Sequence, residues 1–304
     1  MKQPKNRKLK YSPGDVAFNL INYTICLVVI IVTFYPFYYM AMLSVSTGDT
    51  YAKLLVWPHN FSIRAYQAMF KIANVGRGAF ISVMRSTIGP VCTIICTFMG
   101  AYVTSRQDLL FRKFIVRFIT FSMYLTAGLI PAYVNIVSLG LSGTFWVYII
   151  PGLVGAYSLI LIRTYINELP MSLQESAFID GANDLYIAWR IIFPLSMPVI
   201  AAIILFSFIG QWNAYMDTLF YNTHRTDLYP LQYILRNFMN NNLLANAQNT
   251  VNREMEMNQT SGGGFSREAI RMSLTVMVCI PILLVYPFLQ KYFIKGLLIG
   301  AIKG

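Results

Sequence analysis

The charged residues of this chain are confined to short stretches, and long apolar stretches without any charge separate them. No charged residue occurs in 16–48, 86–105, 118–162, 191–216 or 272–290. A helix that crosses a membrane needs about 20 apolar residues, so four of these stretches fit one helix each and 118–162 fits two. Charged residues make up 12% of the sequence, about half the usual share in soluble domains. We therefore predict an all-α, polytopic membrane helix bundle with six transmembrane helices.

The six spans define the expected domain organisation. They are 18–43, 83–105, 116–138, 144–166, 194–220 and 270–292. A β-barrel is disfavoured because the apolar stretches are continuous and do not alternate with polar residues. The transmembrane domain is expected over 18–292, between an N-terminal segment 1–17 and a C-terminal tail 293–304, with outer loops at 44–80 and 221–268.

The basic residues indicate the orientation in the membrane. With an even number of spans both termini lie on one side, and fourteen of the 24 Lys and Arg residues fall on that side. Because cytoplasmic loops carry the excess of basic residues, we expect cytoplasmic N- and C-termini and a first span that is not cleaved. The net charge of +12 is spread over loops next to the spans, which favours contact with the lipid bilayer over nucleic-acid binding.

The metal-binding residue types do not form a recognisable site. Four cysteines lie inside apolar stretches, where they are expected to act as small apolar residues, and only two histidines occur, in distant loops. We expect no metal site and, because no nucleophile, base and orienting group occur together, no catalytic residues.

One segment, 167–194, departs from the charge pattern of the other cytoplasmic loops because it holds four acids and one base. Ser172, followed three residues later by Glu175, matches a capping box and predicts a helix over 171–180. Gly181 can adopt a positive φ and turn the chain into a second short helix. We predict a cytoplasmic helix-turn-helix that exposes the apolar side chains Phe178, Ile179, Tyr186 and Trp189.

This segment resembles the EAA loop of ABC importer permeases. The matching residues are Glu175-Ser176-Ala177, then Asp180-Gly181-Ala182, then Ile191 and Pro194. Ser176 replaces the second alanine of the family pattern, and Phe193 stands where the pattern has leucine. Serine is small like the alanine it replaces, and phenylalanine is apolar like the leucine it replaces.

Residues outside this segment extend the resemblance to one branch of the family. Leu139-Gly140-Leu141, Leu169-Pro170 and the tail from Lys291 to Gly304 look like the carbohydrate importer permeases related to the maltose system. Leu231 to Arg236 and the long Asn-rich loop resemble the LplC-type permeases, which are linked to plant-polysaccharide or uronate-containing oligosaccharides. The resemblance covers the chain from the first span to its last residue.

The resemblance implies a set of partners and a role for the EAA segment. Such a permease lies in a bacterial plasma membrane and pairs with a second permease, for which a different chain is favoured. It receives its sugar from an extracytoplasmic binding protein. Two separate ATPase subunits bind ATP and Mg and dock on the EAA segment, and this sequence contains no Gly-Lys-Ser or Gly-Lys-Thr step of a P-loop. The coupling residues carried over are Glu175, Ser176, Ala177, Phe178, Ile179, Asp180, Gly181, Ala182, Trp189 and Pro194.

Polar and aromatic residues within the spans are candidates for the translocation path. Sugars are bound by aromatic faces, amides and carboxylates, and the candidates are Tyr124, Asn135, Gln211, Trp212, Asn213 and Asp217. An aromatic belt at the headgroup level explains Trp212 equally well. Gln211 and Asn213 are expected to point into the bundle. There they could bind the sugar, or they could form hydrogen bonds between helices and have no contact with it.

Three alternatives remain open at this stage. A stand-alone secondary transporter or channel would need ionisable groups buried inside the membrane. We expect spans without such groups, and only Asp217, near the outer end of the fifth span, comes close. The helix-turn-helix could be an amphipathic segment that only lies on the lipid surface. The outer loop 44–80 could receive the binding protein or pack on the bundle itself.

Overall fold

The regular structure of the chain is helical. A computed structural model describes residues 13–46, 57–58, 61–72, 74–240 and 267–301, and within these residues the β pairing is limited to an isolated bridge between Ser46 and Phe61. The α-helices are α1 Pro13–Ser44, α2 Arg64–Ile72, α3 Val75–Ser105, α4 Arg112–Ser122, α5 Leu129–Ser138, α6 Ala156–Glu168, α7 Ser172–Ile179, α8 Asp184–Tyr186, α9 Phe193–Leu195, α10 Met197–Asn213, α11 Met216–Tyr221, α12 Leu231–Met239 and α13 Arg267–Ala301. Short 3₁₀ turns occupy Phe145–Tyr148, Ile150–Gly152 and Thr226–Leu228, and a π-helical segment occupies Ile187–Ile192. The predicted all-α, polytopic class is confirmed.

Some of the expected spans are single helices and others are broken. In the described part of the chain, α1, α3 and the stretch Glu268–Val285 of α13 are each long and apolar enough to cross a membrane. Two bent pairs bring the number to five, because Phe145–Gly152 meets α6 at 46° and Asp184–Leu195 meets α10 at 81°.

The expected span 116–138 is divided between α4 and α5. Helix α4 ends at Ser122, and α5 begins only after Gly128, whose φ of +85° is unfavourable for other residues. A sixth span therefore requires both short helices together, and the number six stays a prediction. The expected terminal segments and outer loops fall partly on 1–12, 47–56, 59–60, 241–266 and 302–304, which lie outside the described residues.

The chain divides into two compact units. The first comprises residues up to Ala68 together with 255–276. Within it, Ser44 at the end of α1 shares a 2.9 Å hydrogen bond with the Tyr66 hydroxyl, and the Ser273 hydroxyl donates to the Ser44 carbonyl at 3.4 Å. Most of α1 is exposed along its apolar length, from Val16 to Phe34, as expected for a surface that faces lipid or another subunit.

The second unit comprises 69–254 and 277–304, and α3 is its central helix. Helix α3 packs against α10, α6 and α12. The core between α3, α6, the π-helical segment and α10 is fully buried at Phe98, Ile162, Ile187 and Ile200. A second core joins α3, α5 and the 3₁₀ turns through Ile81, Ile136, Val147 and Ile149.

Polar side chains of α3 bind the backbone of its neighbours. The Thr93 and Thr97 hydroxyls donate to the carbonyls of Gly152 and Leu153, at the break before α6. The Ser82 hydroxyl accepts the amide of Leu231 at the start of α12, at 2.7 Å. These contacts satisfy backbone groups that a broken or starting helix leaves unpaired.

Close packing of α3 on α12 requires a glycine at position 78. A Cβ at Gly78 would clash with the Ile234 Cδ1 and lie 3.2 Å from the Tyr229 carbonyl oxygen, whereas a Cβ at Gly76 would meet nothing within 4 Å. We expect Gly78→Ala to destabilise the protein by about 1–3 kcal/mol through overpacking. The matched variant Gly76→Ala should be neutral or slightly stabilising because alanine favours the helix. Thermal denaturation of the purified chain in detergent would compare them, and equal melting temperatures would contradict the packing argument.

Candidate functional site

The candidate site forms at a break in the expected span 194–220. Helix α10 ends at Asn213, Ala214 is extended with ψ 132°, and α11 begins at Met216. Such a break interrupts the ladder of backbone hydrogen bonds, and in a membrane the freed groups need partners from within the protein.

Arg85 of α3 supplies the donors at this break. Its guanidinium donates to the Ala214 carbonyl at 3.2 Å, to the Gln211 Oε1 at 3.0 and 3.1 Å, and to both carboxylate oxygens of Asp217. The same guanidinium lies 4.3 Å from the centre of the Tyr148 ring. We call these five residues, Arg85, Tyr148, Gln211, Ala214 and Asp217, the Arg85 cluster.

The Arg85 cluster compensates a buried charge. Arg85 is 1% exposed, and the Asp217 side chain is 22% exposed. A buried cation is tolerated only when a counter-ion and hydrogen bonds replace its water, and the cluster provides both. Gln211 completes the arrangement because its Nε2 donates to the Tyr148 carbonyl at 2.9 Å.

Arg85 was not among the candidates drawn from the sequence, because it stands directly before the charge-free stretch 86–105. The structure places it ten residues inside α3, which begins at Val75. The signal that could have identified it is the apolar sequence before it, including Phe80, Ile81 and Val83, which extends the helix beyond the charge. The expectation of spans without buried charge is therefore wrong at this position.

A pocket of about 600 Å³ lies beside the Arg85 cluster. It brings together two of the predicted path residues, Asn135 of α5 and Asp217 of α11, with the aromatic residues Tyr148 and Tyr221. The Tyr221 ring stacks on Tyr133 with centres 5.7 Å apart. The Asn135 amide, the Asp217 carboxylate and the Tyr221 ring around one pocket are groups that can bind a polyhydroxylated ligand, while Tyr148 is buried beneath them.

The other predicted path residues lie elsewhere. Trp212 is 2% exposed and its indole donates to the Val278 carbonyl at 2.9 Å, so it packs inside the protein and does not form part of an aromatic belt. Asn213 is exposed and does not line the pocket, which differs from the expected inward orientation. Tyr124 is 81% exposed between α4 and α5. Gln211 lies in the Arg85 cluster, where it binds other protein groups.

The predicted helix-turn-helix forms over the EAA segment. Helix α7 covers Ser172–Ile179, Gly181 has φ +81°, and α8 with the π-helical segment leads to α9 and Pro194. The capping box is wrong, because Met171 is the N-cap and no side chain caps α7. The second helix is capped instead by Asn183, whose Oδ1 accepts the amide of Tyr186 at 2.8 Å.

The apolar residues of this segment separate into an exposed and an anchored group. Ile179 is 87% exposed, and Phe178 and Tyr186 are also exposed. The prediction that Trp189 is exposed is wrong, since its ring packs between Phe98 and Phe193 at centre distances of 5.3 and 5.0 Å. Trp189 therefore anchors the segment to α3, and Ile179 is presented outward.

The remaining predicted coupling residues lie around the turn. Ala177 is buried against the core, and Glu175 lines a groove of about 400 Å³ that α7 forms with the end of α3. Asp180 and Ala182 line a second groove together with Gly181. Ser176 accepts the Asp180 amide through its carbonyl at 3.0 Å.

Arg106, just after α3, ties that helix to the segment. Its guanidinium pairs with Asp184 at 3.2 Å and with Asp108 at 3.0 Å, and it lies 4.8 Å from the centre of the Phe178 ring. The hydrogen bond from Arg106 lowers the pKa of the Asp108 carboxyl below its usual value. One helix thus reaches from the Arg85 cluster to the EAA segment, over about 30 Å for 21 residues at 1.5 Å each.

The sequence of this chain matches a known family of transporters. Residues 97–298 match the family described as binding-protein-dependent transport system inner membrane component. The chain belongs to this family and is a membrane permease subunit of such a transport system.

Individual relatives resemble it over almost their full length. The polygalacturonan/rhamnogalacturonan transport system permease protein YtcP of Bacillus subtilis (strain 168) is 33% identical over 289 residues, which are 94% of this chain and 98% of the relative. Protein LplC of the same organism is 34% identical over 276 residues, 90% of each chain. A chain in the crystal structure of a bacterial ABC transporter involved in the import of the acidic polysaccharide alginate aligns with a TM-score of 0.81 and 28% identity, over 93% of this chain and 99% of that chain.

The contacts of Arg85 predict that its removal destabilises the folded protein. Arg85→Leu leaves Asp217 without its counter-ion and the Ala214 carbonyl without its donor, so we expect a loss of about 3 kcal/mol in stability. The double variant Arg85→Leu/Asp217→Leu should recover part of this loss because no unpaired charge remains. Thermal denaturation in detergent measures both.

Arg225 provides the control for this experiment. It is an exposed arginine that also pairs with an aspartate, Asp227, at 2.9 Å. Since an exposed pair contributes little, Arg225→Leu should leave the melting temperature unchanged. Equal decreases in melting temperature for Arg85→Leu and Arg225→Leu would show that the buried Arg85 contributes no more to stability than an exposed arginine does.

Proposed function

We propose that this chain is one half of the translocation path of an ATP-driven importer for a carbohydrate, specifically an oligosaccharide derived from an acidic polysaccharide. The observation that carries the proposal is similarity over nearly the whole chain to proteins whose names specify polygalacturonan, rhamnogalacturonan and alginate. Polygalacturonan and alginate are polymers of uronates. The similarity spans both the pocket and the EAA segment. It therefore includes the residues that would bind the sugar and the residues that would couple this chain to an ATPase subunit.

The pocket beside the Arg85 cluster supports a sugar as the ligand. Its volume of about 600 Å³ falls in the range of small-ligand sites. Asn135 offers an amide and Tyr221 an aromatic ring, whereas Tyr148 is 3% exposed and its ring lies against Arg85. Asp217 lines the pocket, but Arg85 donates to both of its carboxylate oxygens. A neutralised carboxylate repels an anionic sugar far less than a free one does.

The helix-turn-helix is the proposed docking element for an ATPase subunit. Ile179 and Phe178 present apolar surface, and Gly181 leaves open space at the turn. A partner that moves α7 would act on α3 through Arg106 and through Trp189, since both connect the segment to that helix. ATP and Mg would be bound by two such ATPase subunits and not by this chain.

The orientation and the other partners complete the proposal. The termini and the EAA segment would lie in the cytoplasm of a bacterial cell, and the loops 44–80 and 221–268 would face an extracytoplasmic sugar-binding protein. A second, different permease would cover exposed apolar surface such as that of α5 beside the pocket. In this arrangement 1–17 and 293–304 are terminal segments on either side of one transmembrane domain.

The test is uptake into proteoliposomes that contain the complete transporter. The chain is purified with its associated subunits, reconstituted with the sugar-binding protein outside, and supplied with oligogalacturonate or with a neutral maltooligosaccharide. We expect uptake that requires ATP and the binding protein and prefers the uronate. Preference for the neutral sugar would overturn the substrate class. Uptake by this chain alone, driven by an ion gradient, would establish the stand-alone transporter instead.

The pocket predicts which asparagine affects uptake. Asn135→Ala removes an amide that lines the pocket, whereas Asn213→Ala removes an exposed amide that does not. The loss of one sugar hydrogen bond, worth about 1 kcal/mol, should lower uptake about fivefold for Asn135→Ala. Asn213→Ala is the matched control and should transport normally. Equal uptake rates for the two variants would show that Asn135 does not contact the transported sugar.

The turn of the EAA segment predicts a graded effect at position 181. Gly181 has φ +81° with nothing within 4 Å of a Cβ, so a substitution is limited by backbone strain and not by space. Asparagine tolerates this conformation and valine does not. We expect Gly181→Val to lose ATP-dependent uptake and association with the ATPase subunit, and Gly181→Asn to keep much of both. Copurification and uptake measure this, and normal uptake by Gly181→Val at equal expression would contradict the role of the turn.

A further inference from the structure

A second pocket, at the start of α4, is lined by basic residues. Its volume is about 650 Å³, and its lining is Gln107, Leu109, Phe111, Arg112, Lys113, Val116, Arg117 and Arg163. We call it the basic pocket. Four of its eight residues are cations and none is an acid, which is unusual because like charges repel one another when they are brought together.

Two of the cations are held in place by one carbonyl. The Nε of Arg112 and the Nε of Arg163 both donate to the Thr104 carbonyl, at 3.2 and 3.0 Å. Both arginines are half-buried. This shared acceptor fixes two guanidinium groups side by side at the junction of α3, α4 and α6.

The four cations have no acidic partner among the described residues. The ion pairs in that part of the chain involve other arginines, such as Arg106 and Arg225. Lys113 and Arg117 are exposed and lie one helical turn apart on α4. Within the described residues, the arrangement is thus a group of hydrogen-bond donors and positive charge that can accept an anion.

An apolar surface adjoins the basic pocket. Phe114, Phe118 and Phe121 of α4 are 69%, 63% and 60% exposed, and the first two rings stack with centres 6.4 Å apart. These positions follow helical spacing, so they form a stripe directly beside the stripe of Lys113 and Arg117. A ligand that fits both surfaces has an anionic end and an apolar end.

We propose that the basic pocket binds the phosphate headgroup of an anionic phospholipid, whose acyl chains lie along the phenylalanine stripe of α4. Arginine matches the phosphate through paired N–H donors, and lysine adds a mobile positive charge. The apolar stripe favours a lipid over a free phosphate ion, which would leave these rings uncovered. The lipid would brace the end of α3 two residues before Arg106, which pairs with the EAA segment. The site does not depend on which substrate is transported.

The test is native mass spectrometry of the full-length chain released from nanodiscs. The nanodiscs contain phosphatidylcholine with or without phosphatidylglycerol, and the number of retained lipids is counted. Each cation near an anionic lipid contributes about 1 kcal/mol, or about fivefold in affinity. We therefore expect Lys113→Gln/Arg117→Gln, which changes only exposed residues, to retain phosphatidylglycerol about 25-fold less well than the wild type.

Two further variants and one competitor decide between the possible ligands. Arg77→Gln/Arg225→Gln removes the same charge near the other end of α3 and should bind phosphatidylglycerol like the wild type. Arg112→Lys/Arg163→Lys keeps the charge and should bind more weakly but measurably. Equal retention by Lys113→Gln/Arg117→Gln and the wild type, or equal retention of phosphatidylcholine and phosphatidylglycerol, would overturn the proposal. Complete displacement of the lipid by excess inorganic phosphate would assign the pocket to a free anion and also overturn it.

Discussion

Backbone groups that are freed where a membrane helix breaks must find partners inside the protein, because lipid offers none. Helix α3 provides these partners for several neighbouring elements. Thr93 and Thr97 bind the carbonyls at the break before α6, and Arg85 binds the carbonyl at the break after α10. The carbonyl of Thr104 in turn holds Arg112 and Arg163. The breaks are tolerated because one continuous helix satisfies the elements packed around it.

Through these contacts α3 connects the pocket with the helix-turn-helix. At one position it carries Arg85, which holds the start of α11 and with it the Asp217 side chain that lines the pocket. Its last residues precede Arg106, which pairs with Asp184 of the EAA segment. Between the two, Phe98 is fully buried and packs against Trp189. A displacement of the EAA segment would therefore reach the pocket through a rigid element and not through a flexible loop.

Sequence patterns predicted the elements that depend on local chemistry. The acidic excess and Gly181 located the helix-turn-helix, and the residue at the turn has the positive φ expected of glycine. Prediction failed where a side chain is placed by distant residues. Arg85 was not a candidate, and Trp212 fitted an aromatic belt as well as the translocation path, but contacts with α11 and with Val278 bury the two side chains. The capping box failed because the N-cap of α7 is Met171 and not Ser172, and a methionine side chain does not cap the helix.

The sequence by itself determined that the chain is a helical membrane protein, because apolar stretches of that length without charge are stable only as spanning helices. It also determined the position of the helix-turn-helix, since the residues that form it and its turn are contiguous in the chain. Only the tertiary structure decided which polar residues meet. Asn135 and Asp217 share a pocket, while Asn213, four residues before Asp217, lies outside it. The physical reason is the break at Ala214, which changes the direction of the chain between these two residues and is held by an arginine more than a hundred residues away in the sequence.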